Sequence, residues 1–179
     1  MQRARERFLL WRVHRFKDNA AFEELYVAFS EKMERFLRHK LPTQEDAEEI
    51  GADVFARLWE YAQSTRVESF SGLAFKMARD RCAKFYHVKG RTIAIDSEEA
   101  DLAPDDRPSP EDTTAQVMDI ETIEASLELL KDEHKDAIIM RYLSEMSIGE
   151  IAEALEKSEN AVRILIHRAL KALREKIVL

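Results

Sequence analysis

Five polar side chains near the C-terminus, Asn160, Arg163, His167, Lys171 and Arg174, recur at three- and four-residue steps. On an α-helix that spacing places them on one side. Such a row of donors can hold phosphates and read base edges, Arg and Lys pairing with guanine and Asn with adenine. Another side of the same helix carries Val162, Leu165, Ile166, Ala169, Leu173 and Ile177. Ser158 is placed to cap it. A shorter helix precedes it, opened by a capping box between Ser147 and Glu150 and apolar along Ile148, Ile151, Ala152 and Leu155. A short helix, a polar turn through Glu156 to Glu159, and a longer basic helix make a helix-turn-helix, whose second helix enters the major groove of DNA. A helical hairpin with a solvated basic face is the plainer alternative.

The chain has 179 residues, is 45% hydrophobic and holds only 4 Gly and 4 Pro, which suits one or two globular, mostly helical domains. Nothing approaches the roughly 20 apolar residues needed to span a bilayer. Phe8-Leu9-Leu10-Trp11 is too short for the apolar centre of a signal peptide. The single cysteine, Cys82, excludes an internal disulfide, so a cytoplasmic location is expected. His14, His39, His87, His134 and His167 are scattered without metal-ligand spacing, and no Gly-rich phosphate loop occurs. Glu48-Glu49 and Glu98-Glu99 read as solvated charges rather than acid–base pairs. No catalysis, no metal and no cofactor are expected.

The net charge of −7 is unevenly spread. Residues 1–91 carry 18 Lys+Arg against 14 Asp+Glu, whereas residues 92–118 carry 1 against 8. Phosphate contacts drive nonspecific DNA affinity. An acidic chain with basic patches should therefore bind DNA weakly alone and rely on a partner to position those patches. Residues 92–118 are acidic, contain Pro104, Pro108 and Pro110, and have almost no large apolar side chains. They cannot bury enough surface to order themselves and read as a tether.

These features predict an all-α chain of two small helical domains, residues 1–91 and 119–179, joined by the acidic linker 92–118. In the first, Asp18 or Asn19 caps a helix bearing Phe22, Leu25, Tyr26, Phe29, Met33, Phe36 and Leu37. After Pro42-Thr43 a second helix carries Ile50, Val54, Phe55, Leu58 and Trp59, with Glu45, Glu49, Asp53, Arg57 and Glu60 on its other face. A less regular piece, 63–72, leads to a basic helix, 73–89, where Lys76, Arg79, Arg81, Lys84 and Lys89 mix with Phe75, Met77, Phe85 and Tyr86. Cations among aromatics suit single-stranded nucleic acid; core aromatics beneath a solvated basic surface fit equally well. In the second domain, Ile120, Ile123, Leu127 and Leu130 form one amphipathic helix, and Ala137 to Leu143 a second, ahead of the helix-turn-helix.

This layout resembles a bacterial RNA polymerase sigma factor of the small extracytoplasmic-function (ECF) type over about residues 8–176. The resemblance rests on Ala21-Phe22-Glu-Glu-Leu25-Tyr26, on Asp46-Ala47-Glu-Glu-Ile50-Gly-Ala-Asp53-Val54-Phe55-Ala-Arg57-Leu58-Trp59, on Phe75-Lys-Met-Ala78-Arg79, and on Leu130 through Arg141-Tyr142 into Ser147-Ile-Gly-Glu150-Ile151-Ala152. It implies that Asp46, Glu49, Ile50, Asp53, Val54, Arg57 and Trp59 dock on the coiled coil of the largest polymerase subunit. It implies that the loop 63–72, with Phe70 its only aromatic, captures flipped bases of the −10 element. Lys76, Arg79, Arg81, Lys84, Lys89 and Arg91 would hold the separated strand and upstream duplex. Ser158, Asn160, Arg163, His167, Arg168 and Lys171 would read the −35 element. The linker would thread toward the polymerase active channel. Implied partners are core RNA polymerase, promoter DNA and an anti-sigma factor. The chain departs from the family's habits in having Asp80 for a customary Asn, Asn160-Ala161 for Gly-Thr, Ile164 and Leu165 for Ser and Arg, and Leu170 for a later Arg. A stand-alone helix-turn-helix regulator and a helical protein-binding adaptor are the competing readings.

Overall fold

The computed structural model of the protein describes residues 3–88 and 126–177, and the regular structure among them is helical. The N-terminal unit holds α1 (Arg3–Phe16), α2 (Asn19–Lys40), α3 (Gln44–Ser64) and α4 (Phe70–Val88). The C-terminal unit holds α5 (Asp132–Ile138), a π-helical stretch Ile139–Leu143, α6 (Ile148–Leu155) and α7 (Glu159–Ile177). Residues 126–128 add a helical turn before α5. The expected helix of Ile120 and Ile123 and the linker 92–118 lie outside the described residues.

The helix starts follow from local chemistry. Asp18 accepts from the Ala21 N–H at 3.1 Å, Thr43 from the Asp46 N–H at 3.0 Å, and Ser158 from the Ala161 N–H at 3.2 Å. Around α6 both halves of the capping box form: the Glu150 N–H donates to Ser147 Oγ at 3.2 Å and the Ser147 N–H donates to Glu150 Oε2 at 2.8 Å. The start of α4 is satisfied from far away. Glu6 of α1 is buried, and its Oε1 accepts from the Phe70 N–H at 2.6 Å. Burial raises the Glu6 carboxyl above the ordinary value, although bonds from Phe70 and Ser71 work against this. The helical run from α5 also differs from expectation, because Ile139–Leu143 is wound as a π-helix and closes with the Ser144 N–H on the Ile139 carbonyl at 2.8 Å.

The two expected domains are packed into one body. A continuous apolar core runs from Leu25, Phe29, Phe36, Phe70 and Phe75 into Ile139, Met140, Met146, Ile151 and Leu155. The principal seam between the units is α4 against α6, with α2 meeting the π-helical stretch. Gly72 permits the close approach: a Cβ there would stand 3.1 Å from the Glu153 Cβ and 3.2 Å from its carbonyl oxygen.

Candidate functional site

The basic face of α7 turns outward. Val162, Leu165, Ile166, Ala169 and Leu173 are buried, while Asn160, Arg163, His167, Arg168, Lys171 and Arg174 are exposed. Ser158 is exposed as the cap. Glu156 takes a left-handed conformation, φ 55°, which reverses the chain between α6 and α7. Arg163 is tethered to Glu159 at 2.9 Å, an exposed pair of adjacent helical turns that contributes little and is readily exchanged. Leu165 and Leu170 belong to the apolar side, Leu165 buried and Leu170 packed against the core, so neither offers a donor to DNA.

Along α3 the charged residues share a strip with Asp46, Asp53 half-buried and Glu49, Arg57 exposed. Asp53 accepts from Arg57 Nε at 2.9 Å and holds Arg81 of α4 at 2.8 Å, which ties the two helices together. Three residues expected in a docking face are placed otherwise. Val54 is completely buried, one turn from buried Leu58, and is a core residue. Trp59 packs edge-on against Phe22 at 5.1 Å, and Ile50 rests partly buried on the core.

The loop expected over 63–72 is shorter, since α3 continues to Ser64 and α4 begins at Phe70. Phe70 is fully buried, with its ring 5.8 Å from Phe22 and 5.4 Å from Phe29. It cannot receive a base and is corrected to a core residue. On α4, Lys76 and Lys84 are exposed and Arg79 and Arg81 are half-buried. Lys89 and Arg91 lie outside the described residues.

Two of these cations are occupied by the C-terminal unit. Arg79 Nε donates to Asp136 Oδ2 at 2.7 Å, and Lys76 Nζ donates to Glu156 Oε1 at 2.7 Å. Asp136 is also 2.8 Å from the buried Lys40 Nζ. Burial alone would depress the Lys40 ammonium, but the adjacent Asp136 outweighs it and the pKa lies above the ordinary value. Cys82 is buried beside this cluster, and burial pushes its thiol up to about 12. Elsewhere on the seam Ser69 Oγ and Ser71 Oγ donate to Glu153 Oε2 at 2.6 and 3.1 Å. Lys32 Nζ donates to Glu150 Oε1 at 2.9 Å. Burial pushes the Glu150 carboxyl up, yet Lys32 and Ser147 together bring it below the usual range. The acidic partners Asp136, Glu150, Glu153 and Glu156 carry no sequence signal of this role, because each meets its partner across the seam.

Among the described residues no group of His, Cys, Asp and Glu could hold a metal ion, and no helix is long and apolar enough to cross a membrane.

Residues 120–173 match the family of sigma-70 region 4. The chain is similar to the ECF RNA polymerase sigma factor SigW of Bacillus subtilis (strain 168), with 24% identity over 169 residues, 89% of this chain and 90% of that protein. It is also similar to RNA polymerase sigma factor YlaC of the same organism, with 26% identity over 162 residues, 89% of this chain and 93% of that protein. The fold is shared with CnrH, solved in complex with the cytosolic domain of CnrY, at a TM-score of 0.67 and 16% identity over 96% of both chains. It is shared as well with the sigma factor RpoE, crystallised with the anti-sigma factor NepR from Bartonella quintana, at a TM-score of 0.60 and 16% identity, covering 88% of this chain and 97% of that one.

Proposed function

We infer that this chain, a sigma factor of the ECF type, brings core RNA polymerase to a subset of promoters and helps to open them. It is not a catalyst; the polymerase makes RNA. The observation that carries the reading is the outward basic face of α7 on a capped helix-turn-helix within the region 4 match. Residues 119–179 contact the −35 element, with Asn160, Arg163, His167, Arg168 and Lys171 facing the groove and Ser158 fixing the start of the helix. Residues 1–91 contact polymerase through the α3 strip of Asp46, Glu49, Asp53 and Arg57. The same unit holds the −10 region through Lys76, Arg79, Arg81 and Lys84. Residues 92–118 tether the two units. The work is done in the cytoplasm, where polymerase and promoter DNA are found. An anti-sigma factor is a fitting inhibitor, since holding the two units together keeps α4 covered.

Closure has a direct consequence for DNA binding. Arg79 cannot serve phosphate while the buried Asp136 holds it, whereas the exposed Lys76–Glu156 pair is readily exchanged. Strand binding along α4 therefore competes with the C-terminal unit, and productive promoter contact requires the seam to part. Polymerase supplies the driving interaction by engaging both units at separate places.

Promoters selected from a randomised library by wild-type holoenzyme give the test. Arg163→Ala should lower initiation from them by about 5- to 100-fold, the equivalent of about 1–3 kcal/mol for a lost base or phosphate contact. Affinity for core polymerase should be unchanged. Equal loss of core affinity and initiation, or no loss of either, removes Arg163 from the DNA-reading surface.

A further inference from the structure

The most prominent unassigned surface lies on α1, which is apolar on two sides. Leu9, Leu10 and Val13 are buried, yet Phe8, Trp11 and Phe16 are 55%, 52% and 62% exposed. The exposed rings form a continuous plate. Phe8 and Trp11 stack with centroids 6.0 Å apart and planes 25° apart, and Phe16 meets Trp11 edge-on at 5.3 Å. Scattered apolar residues on a surface need no explanation, but a contiguous patch marks contact with a protein or a membrane. Charge separates these. α1 carries five arginines and one acid, and that acid, Glu6, is buried against the start of α4. Three further acids meet α1 and each is matched: Glu153 pairs with Arg3, Glu24 with Arg5 and Asp18 with Arg12. Arg7, Arg15 and Lys17 have no ion-pair partner among the described residues. From the loop 65–69, Arg66 and Glu68 border the plate with opposite charges that cancel. The cations stand around the rings, the Arg12 guanidinium 5.9 Å from the Phe8 ring and that of Arg15 5.9 Å from the Phe16 ring.

We propose that the outward face of α1 lies on an anionic lipid surface, with Phe8, Trp11 and Phe16 between the headgroups and Arg7, Arg15 and Lys17 on lipid phosphates. Rings flanked by cations are the layout of an interfacial helix, held by buried apolar area together with attraction to anionic headgroups. Trp suits that depth, because its ring is apolar and its N–H polar. Arginine stems lie along apolar surface while their heads reach phosphate. A DNA duplex would satisfy the cations and leave the rings in water. A lipid surface satisfies both along the whole length of α1 and asks no complementary shape of it. The helix lies on the membrane and does not cross it. Three rings on a helix of 14 residues give a reversible hold. This binding is independent of the promoter reading and gives the free chain a second place to reside.

The test mixes the full chain with vesicles of phosphatidylglycerol and phosphatidylcholine in equal parts, and with vesicles of phosphatidylcholine alone. The chain should sediment with the first, stay in solution with the second, and be released from the first by high salt. In a Trp59→Phe background, where Trp11 is the remaining tryptophan, its emission should shift to the blue on the anionic vesicles only. Trp11→Ala should lower partition about tenfold, for the half of a large ring that is exposed. Arg7→Gln with Arg15→Gln should lower it about thirtyfold, from the attraction that each cation near an anionic surface supplies. Both variants should keep the wild-type helical signal, because the altered side chains are exposed. No partition into either vesicle, equal partition into both, or wild-type partition by either variant overturns the proposal. If Trp11→Ala instead loses affinity for core polymerase or DNA while its vesicle partition stays at the wild-type level, the plate belongs to that partner and the lipid site is overturned.

Discussion

Asp136→Asn is expected to part the N- and C-terminal units while each stays helical. Asp136 is 3% exposed and Lys40 is 7% exposed, so their charges are withdrawn from water and compensate one another. Asn keeps the shape and removes the charge. Lys40 is then left with Asp132, 3.4 Å away on a more exposed side chain. Breaking a buried pair from one side costs about 3–5 kcal/mol, chiefly because the remaining ion is stranded. Here the strain has a local remedy, because separation of the units returns Lys40 and Arg79 to solvent. Cys82 reports the event. It is buried beside the cluster, and its thiol, pushed up to about 12, is unreactive while the seam is closed. Thiol labelling at neutral pH should accelerate about a hundredfold in Asp136→Asn, with little loss of far-UV helical signal. Lys40→Met combined with Asp136→Leu should restore protection, since an apolar pair of similar volume avoids the stranded charge. Labelling at the wild-type rate in the single variant would show that the cluster does not hold the units together.

The same contact has a defined pH window. Lys40 has a raised pKa in the folded chain, so its contribution is complete below the ordinary lysine value of about 10.4 and is lost as pH rises through the higher folded value. Neutral and mildly acidic conditions should leave the Lys40 side of the seam intact. The outer pairs, Arg3–Glu153, Arg35–Glu145 and Lys76–Glu156, are more exposed and should add little, less still in salt.

Phe70→Ala should lower the stability of the fold by about 3–5 kcal/mol, the usual cost of removing a buried phenyl group and leaving a cavity. The ring sits among Phe22, Phe29 and Phe55 at the first position of α4. That position also receives the Glu6 carboxylate, so collapse of the cavity would disturb a helix start as well. Thermal unfolding monitored by circular dichroism should show a lower midpoint, and Phe70→Leu a much smaller change. Binding of core polymerase and DNA should fall together in proportion to the unfolded fraction. A stable Phe70→Ala chain with a selective loss of fork DNA would return Phe70 to the base-capturing role that its place in the sequence suggested.

What was legible in the chain is what depends on neighbours within one or two helical turns. Asp18, Thr43, Ser147 and Ser158 announce their helices by capping chemistry, and the division of α7 into buried and exposed sides follows from its 3.6-residue period. The same period set Val54 on the apolar side of α3 with Phe55 and Leu58, where it is buried. Family resemblance instead grouped it with the residues expected to dock on polymerase, whose charged members Asp46, Glu49, Asp53 and Arg57 are half-buried or exposed. Phe70 is harder. Its role depends on α3 running on to Ser64 and on a cap supplied from Glu6, 64 residues earlier. The seam was illegible for the same reason. Lys32–Glu150 and Arg79–Asp136 join residues 118 and 57 positions apart, and the acidic composition of 92–118 speaks only for a tether. The basic pattern of α4 foretold cations on its surface, while their engagement by Asp136 and Glu156 is a property of the packed molecule.

The central claim is most directly tested by fluorescence anisotropy of the labelled full chain titrated with bacterial core RNA polymerase, with and without promoter-like fork DNA. The account predicts tight binding to core polymerase and capture of the fork only when all three components are present, because the free chain is acidic overall and keeps Arg79 occupied by the buried Asp136. Duplex binding by the chain alone, with no affinity for core polymerase, would contradict it and identify a stand-alone DNA-binding regulator.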